Sequence, residues 1–281
     1  MGKIKFSEIK DKIRNNRGFN SIKEIKEAGL RVVKTKNGDY WLIEEEYLKP
    51  VIKSPRELKT IVVREEDLKY KVLMCHKSRT ELKREDAFVL DYIKWGEKMG
   101  FNKRPTCRSR KRWWELPERL SFIISKRFID EKFTFFINVR NFFVGDTFFI
   151  IEARKKQEKL ALYLNTSLNF FLLECFGRKN MGQGVLLIYG PEIKPSLILT
   201  KFEYKNSFLL NKKINSIFTE LGFDPSKPIR EQEPNPLPDR KALDDIVFDA
   251  LGLTEEERKE VYWSVAELVK SRLDKARSFK K

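Results

Sequence analysis

Apolar residues recur along this chain at changing intervals, and each change marks an element. Phe6, Ile9 and Ile13 fall at helical spacing, and Ile22, Ile25 and Leu30 follow less regularly. Val32-Val33 and Tyr40-Trp41-Leu42-Ile43 are strand-like, and Asn37-Gly38 between them supplies a hairpin turn. Ile61–Val63 and Tyr70–Met74 predict two further strand pieces, and Thr80–Met99 predicts a helix carrying Leu82, Phe88, Val89, Tyr92, Ile93 and Trp95. Short apolar runs follow at Trp113–Leu116 and Leu120–Ser125. Phe133–Val139 and Thr147–Ala153 predict paired strands joined near Asn141 and Gly145-Asp146, and Lys155–Phe176 and Ser207–Leu221 predict helices.

Residues 224–239 hold five prolines in sixteen positions, which predicts a linker without regular structure. Beyond it the 3.6-residue period returns. Leu243, Ile246, Val247 and Leu251 share a face, and Gly252 can cap that helix. Thr254 with Glu257 forms a capping box for a last helix with Val261, Val265, Leu268, Val269 and Leu273 on one side. The expected fold class is α+β: a mixed domain of sheet and packed helices, with a C-terminal helical tail. The expected segments are 1–47, a helix and hairpin; 48–223, the main domain; 224–239, the linker; and 240–281, the tail.

Composition changes the picture through charge. The net charge is +17, and residues 230–281 hold 11 basic against 12 acidic residues, so residues 1–229 carry +18. Lysine enrichment at high growth temperature is matched by glutamate, which it is not here. A surface of that sign points to a polyanion, nucleic acid before an anionic membrane. No run approaches the ~20 apolar residues of a transmembrane helix, and the first ten residues have no apolar core. Cys75, Cys107 and Cys175 are scattered and odd in number, so reduced thiols and a cytoplasmic protein are expected.

Residues 103–114, KRPTCRSRKRWW, carry the strongest local signal. Six of the first ten are basic, none is acidic, and two tryptophans follow. Lys103, Arg104, Arg108, Arg110, Lys111 and Arg112 are candidates to grip phosphates or read guanine edges, and Trp113 to stack on a base. Of the two tryptophans, one is expected in the core.

From Leu162 to Leu199 an amphipathic helix leads into a Gly-rich turn with a basic pair, and then into an apolar run. This segment resembles the target-recognition region of adenine-specific DNA methyltransferases of restriction–modification systems, of the type IIG kind. Those enzymes have a Leu-Asn-Ser-like step, an Arg-x-Asn-x-Gly-x-Gly loop and a closing strand. Leu164-Asn165-Thr166-Ser167 and Arg178-Lys179-Asn180-Met181-Gly182-Gln183-Gly184 fill those positions. The Leu48-Lys49-Pro50-Val51-Ile52 step is similar to the opening of that domain. Leu243-Asp244, Phe248-Asp249 and Leu251-Gly252-Leu253-Thr254 are similar to its tail, so the resemblance runs over roughly 45–278.

The resemblance implies double-stranded DNA as a partner, read by residues 48–223, with Arg178, Lys179, Asn180 and Gln183 at the DNA. It also implies that residues 1–47 dock on a methyltransferase catalytic domain or subunit. The family's methyl donor is S-adenosylmethionine, and its chemistry needs an Asn-Pro-Pro-Tyr-like loop around the flipped adenine. No such loop is in this sequence. Asn235-Pro236-Leu237-Pro238 differs at its third and fourth positions, and no cofactor loop follows a first strand. No cofactor is therefore expected in this chain, and the methyl donor belongs on a separate or missing catalytic domain.

Two alternatives come from the residues themselves. Asp130 or Asp146 with Glu152-Ala153-Arg154 approximates a magnesium nuclease motif, with arginine where lysine is needed. A basic protein with paired tryptophans also fits non-specific nucleic-acid or RNA binding. One histidine and no Cys-x-x-Cys argue against zinc. Cys75-His76 would be a poor nucleophile pair, since neighbours on a strand face opposite ways.

Overall fold

The computed structural model describes residues 5–180, 184–188, 190–194 and 212–278. The chain is α+β, and its contacts gather into two units, Met1–Val51 with Tyr70–Arg119, and Ile52–Lys69 with Leu120–Lys281. The expected segment 1–47 falls in the first unit, 48–223 is shared between the two, and the 224–239 segment and the tail lie in the second.

The first unit opens with α1 (Phe6–Ile9) and α2 (Ile22–Glu27), capped by Ser21, whose hydroxyl accepts from the Glu24 amide. Strands β1 (Leu30–Lys34) and β2 (Tyr40–Glu44) form the expected hairpin, in antiparallel register from Leu30↔Glu44 to Lys34↔Tyr40. Gly38 takes the left-handed turn conformation at φ 92°. Strand β3 (Leu48–Ile52) pairs antiparallel with β4 (Tyr70–Leu73).

The helix expected over 80–99 is two helices, α3 (Arg79–Arg84) and α4 (Phe88–Lys98). Asp86 between them has φ +49°, which no helix accommodates. The N-cap of α4, Ala87, has no capping oxygen, and Glu44 supplies one from β2. Its carboxylate accepts from the Phe88 amide at 2.5 Å and the Val89 amide at 3.0 Å, which locks α4 onto the hairpin. Trp41, Ile43, Tyr47, Leu82, Val89 and Ile93 form the core beneath, and α5 (Pro105–Arg108) follows in the basic loop.

The second unit is built on a three-stranded sheet. Strands β5 (Ile123–Lys126), β6 (Phe128–Ile129), β7 (Phe135–Ile137), β8 (Phe143–Val144) and β9 (Phe148–Ile151) precede its helices. The strands expected to pair with each other, β7 and β9, instead flank β5 in the order β7-β5-β9. The run Leu120–Ser125 is thus the central strand, and Ile123 and Ile124 are fully buried on it.

The expected helix 155–176 is broken into α6 (Gln157–Leu164) and α7 (Ser167–Phe176), because the Thr166 hydroxyl accepts from the Asn169 amide and starts a new helix. Strands β10 (Arg178–Asn180) and β11 (Val185–Leu187) form a hairpin that pairs through β11 with β6. Helix α8 (Gly190–Ile193) follows. Of the expected helix 207–221, residues 207–211 lie outside the described residues and α9 covers Ile217–Leu221.

Residues 224–239 do not run as a loose linker. A 3-10 turn at Ile229–Glu231 buries Ile229, and Trp263 donates from Nε1 to the Gln232 carbonyl at 2.7 Å. Arg230 bridges Glu260 and Glu267, so the segment is strapped to the last helix. Helices α10 (Pro238–Leu251) and α11 (Glu255–Ser278) complete the unit. Leu243, Val247, Phe248, Val265 and Val269 join Phe135, Phe170 and Leu173 in one core.

Candidate nucleic-acid interface

In the first unit the basic loop rests on an aromatic base. Trp113 and Trp114 are both half-buried and meet edge to face, with ring centroids 6.2 Å apart. Trp113 donates from Nε1 to Glu97 at 3.1 Å, and its ring lies so close to Gly96 that a Cβ there would overlap it. The half-buried Trp113 ring thus anchors the loop to α4. A small cavity of about 140 Å³ remains among Tyr92, Trp95, Phe101, Trp113 and Trp114.

The loop's cations divide by what they touch. Arg112 pairs with Glu115 at 2.8 Å, Arg110 donates to the Trp113 carbonyl at 3.3 Å, and Arg104 lies over the Phe101 ring at 4.4 Å. Lys103, Arg108 and Lys111 are exposed and have no ion-pair partner among the described residues. Arg110 and Arg112 thus shape the loop, while the other three offer charge to solvent. His76 Nδ1 meets Glu115 at 3.0 Å, and that contact with Arg112 holds the Glu115 carboxyl below its usual range. Cys75 is fully buried, and burial pushes its thiol up, so it does not act as a nucleophile beside His76.

In the second unit Arg178 and Lys179 are exposed on β10, and Asn180 pairs through its backbone with Val185. Gln183 lies outside the described residues. Gly177 ends α7 and passes so close to Leu173 and Leu186 that a Cβ would stand 2.6 Å from each. Gly184 has φ +64°.

The Asn165-Thr166-Ser167 step is a buried hub. Asn165 pairs with the Phe135 backbone, accepting from its amide at 3.1 Å and donating to its carbonyl at 2.9 Å. Ser167 donates to Asp244 on α10 through both amide and hydroxyl, each at 2.7 Å. Arg240 meets Glu220 at 2.8 Å and also donates to the Asn165 carbonyl, and Lys212 pairs with Glu220 and Asp239. Burial alone would raise the Glu220 pKa, but Arg240 and Lys212 hold it below the ordinary value. Asp244 goes the other way, because burial outweighs its hydrogen bonds.

Arg272 on α11 makes a second clasp. It pairs with the buried Glu174 at 2.6 Å and donates to the Gly184 carbonyl and, at 3.0 Å, to the Asp130 carbonyl. The tail thereby fixes both the far end of the β10–β11 turn and the end of β6.

Asp130 accepts from Lys126 at 3.0 Å and from the Lys132 amide at 2.8 Å, while Asp146 and Glu152 are exposed. Among the described residues no three His, Cys, Asp or Glu side chains cluster as metal ligands. Asn235-Pro236-Leu237-Pro238 is a structural lead into a helix: the Asn235 amide donates to the Leu221 carbonyl and Pro238 opens α10.

Sequence reading missed one charged surface. In the second unit a groove of about 710 Å³ is bordered by Arg56, Lys59, Arg64, Lys126, Lys132 and Lys213. No window of the sequence shows these residues together.

The family profile for the C-terminal domain of the type II methyltransferase M.Eco57I matches residues 7–221. The chain belongs to this family. The M.Eco57I C-terminal-domain match takes in residues 7–44, which carried none of the sequence resemblance, and stops short of the tail, which carried part of it. Among solved structures, the chain is similar to the type IIG restriction endonuclease BpuSI with a TM-score of 0.50 and 11% identity, over 83% of this chain and 27% of that one. At that identity the likeness is one of fold. The chain thus spans about a quarter of BpuSI's length. No curated protein matches it. No helix among the described residues is long and apolar enough to cross a membrane.

Proposed function

We propose that this member of the M.Eco57I C-terminal-domain family is the part of an adenine-specific DNA methyltransferase that recognises a double-stranded target sequence. Methyl transfer and S-adenosylmethionine belong, in this reading, to a catalytic domain or subunit beyond these residues, and the setting is the cytoplasm. The observation that carries the proposal is the anchored basic loop: Lys103, Arg108 and Lys111 present unpaired charge from a loop pinned by Trp113 to Glu97. Pinning lowers the entropy lost when those cations engage DNA. Exposed Arg178 and Lys179 on β10 add a second set of donors. Phosphate contacts supply affinity that falls with salt, and a bidentate base contact adds ~1–3 kcal/mol of discrimination.

The test is selection of bound duplexes from a randomised library by the purified chain at ~0.15 M salt, where phosphate-only binding is suppressed. One short enriched motif containing adenine is expected. Binding without enrichment, or preference for structured RNA in competition, would sink the reading.

A further inference from the structure

The basic groove of the second unit draws its cations from three separate stretches, 56–64, 126–132 and 213. Each is set by backbone contacts. Arg56 sits in a 3-10 turn whose Ser54 cap accepts from the Arg56 amide at 3.3 Å. The Lys132 amide is held by Asp130 at 2.8 Å, and Lys213 bridges antiparallel to Thr60. The Asp130 carbonyl is tied to Arg272, so this side of the groove is fixed from behind by α11.

The charge in the groove is lopsided. Asp130 is the one carboxylate among the lining residues, and its charge is already met by Lys126 and the Lys132 amide. Lys59 shares Asp67 at 3.4 Å and is 80% exposed, so that pair is weak. Arg56, Lys132 and Lys213 are exposed and have no ion-pair partner among the described residues. Six cations around one neutralised acid concentrate a positive field in a concave surface. The buried Leu58 and Phe136 and the half-buried Ile214 form its floor. That combination suits a sugar–phosphate backbone, with the rim cations on the phosphates.

We infer that this groove is a phosphate-backbone site for duplex DNA, with Arg56, Lys132 and Lys213 as its principal phosphate contacts. The inference rests on the duplex-recognition reading and adds a site to it. The groove would position the duplex without reading it, because lysine on phosphate carries no base information.

The test is a salt titration of binding to two labelled duplexes, one selected by the chain and one of random sequence, between about 0.05 and 0.2 M salt. Lys132→Ala with Lys213→Ala is expected to lower the slope of log K against log salt by about two, at ~0.9 per phosphate contact. Affinity for both duplexes should fall by the same factor. Lys132→Arg with Lys213→Arg should restore the slope, and Lys241→Ala on α10 should leave it unchanged, all with an unaltered melting temperature. A double alanine variant with the parent slope overturns the groove while a selective parent chain keeps the recognition reading. The reduced slope in a parent chain without sequence preference keeps the groove and sinks that reading. A parent chain that binds no duplex overturns both.

Discussion

The hub around Asn165, Ser167 and Asp244 and the basic loop at 103–112 treat charge and polarity in opposite ways. In the hub Asn165, Ser167, Glu220, Arg240 and Asp244 are buried and partnered: Asp244 takes two hydrogen bonds from Ser167, and Arg240 meets Glu220. In the loop Lys103, Arg108 and Lys111 lie open. The hub holds part of the resemblance to a methyltransferase family, the Leu164–Ser167 step and Asp244, whereas the loop stands out through composition alone. Those hub residues serve to fold the domain, while Arg178 and Lys179 of the same resemblance are exposed on β10.

The comparison is broken most severely at the clasp related to the hub. Arg272→Ala leaves Glu174 buried with no counter-charge, and a buried pair cut on one side costs ~3–5 kcal/mol. Urea denaturation should show that loss, whereas Arg272→Met combined with Glu174→Leu should recover most of it. If the single variant cost under ~1 kcal/mol, as an exposed pair would, the clasp would not be holding the tail.

A smaller effect is expected where the loop meets its anchor. Gly96→Ala puts a methyl group into the Trp113 ring, and overpacking of this kind costs ~1–3 kcal/mol. Tryptophan fluorescence should shift and affinity for DNA should fall together, because the loop moves with its anchor. Unchanged fluorescence would mean that Trp113 yields freely, and its description as an anchor would fail.

Most of the fold was legible where a local rule decided it. The β1–β2 hairpin follows from alternation around Asn37-Gly38, and α11 from its capping box and period. Two expected helices were too long because their breaks are single residues, Asp86 at positive φ and Thr166 as a cap. The place of β5 between β7 and β9 was hidden because three short apolar runs give no order of pairing. Of the site, the cation run at 103–112 was plain, but the groove was not. Its lysines and arginines are spread from 56 to 213 and become neighbours only through the fold. The packing of Trp113 on Gly96 was hidden as well, because a tryptophan beside arginines looks alike in sequence whatever its ring faces.

Acid should separate the two regions more gently. Glu220 has its pKa lowered in the folded state against burial by Arg240 and Lys212, so the folded chain takes up its proton later than the unfolded one. Its stabilising contribution is fully present above the ordinary value of 4.5 and is lost as pH falls through the folded value. Asp244 is raised and works in the opposite sense, so the two partly offset. Glu220→Gln should therefore flatten the acid limb of a stability profile while lowering stability at neutral pH. An unaltered acid limb would show that Glu220 is not coupled to folding.

The smallest effect on stability is expected where the effect on binding is large. Lys103→Ala, Arg108→Ala and Lys111→Ala together remove three exposed charges that have no ion-pair partner among the described residues. Substitutions of that kind stay within ~0.5 kcal/mol each in stability. If the loop grips phosphates, the same triple variant lowers the salt slope of duplex binding by up to about three, at ~0.9 per contact. The two measurements decide whether the loop is a place where DNA is met. Loss of slope at constant melting temperature assigns phosphate contact to the loop. A constant slope would return these three cations to the solvated surface and leave β10 and the groove as the basic surfaces able to account for binding.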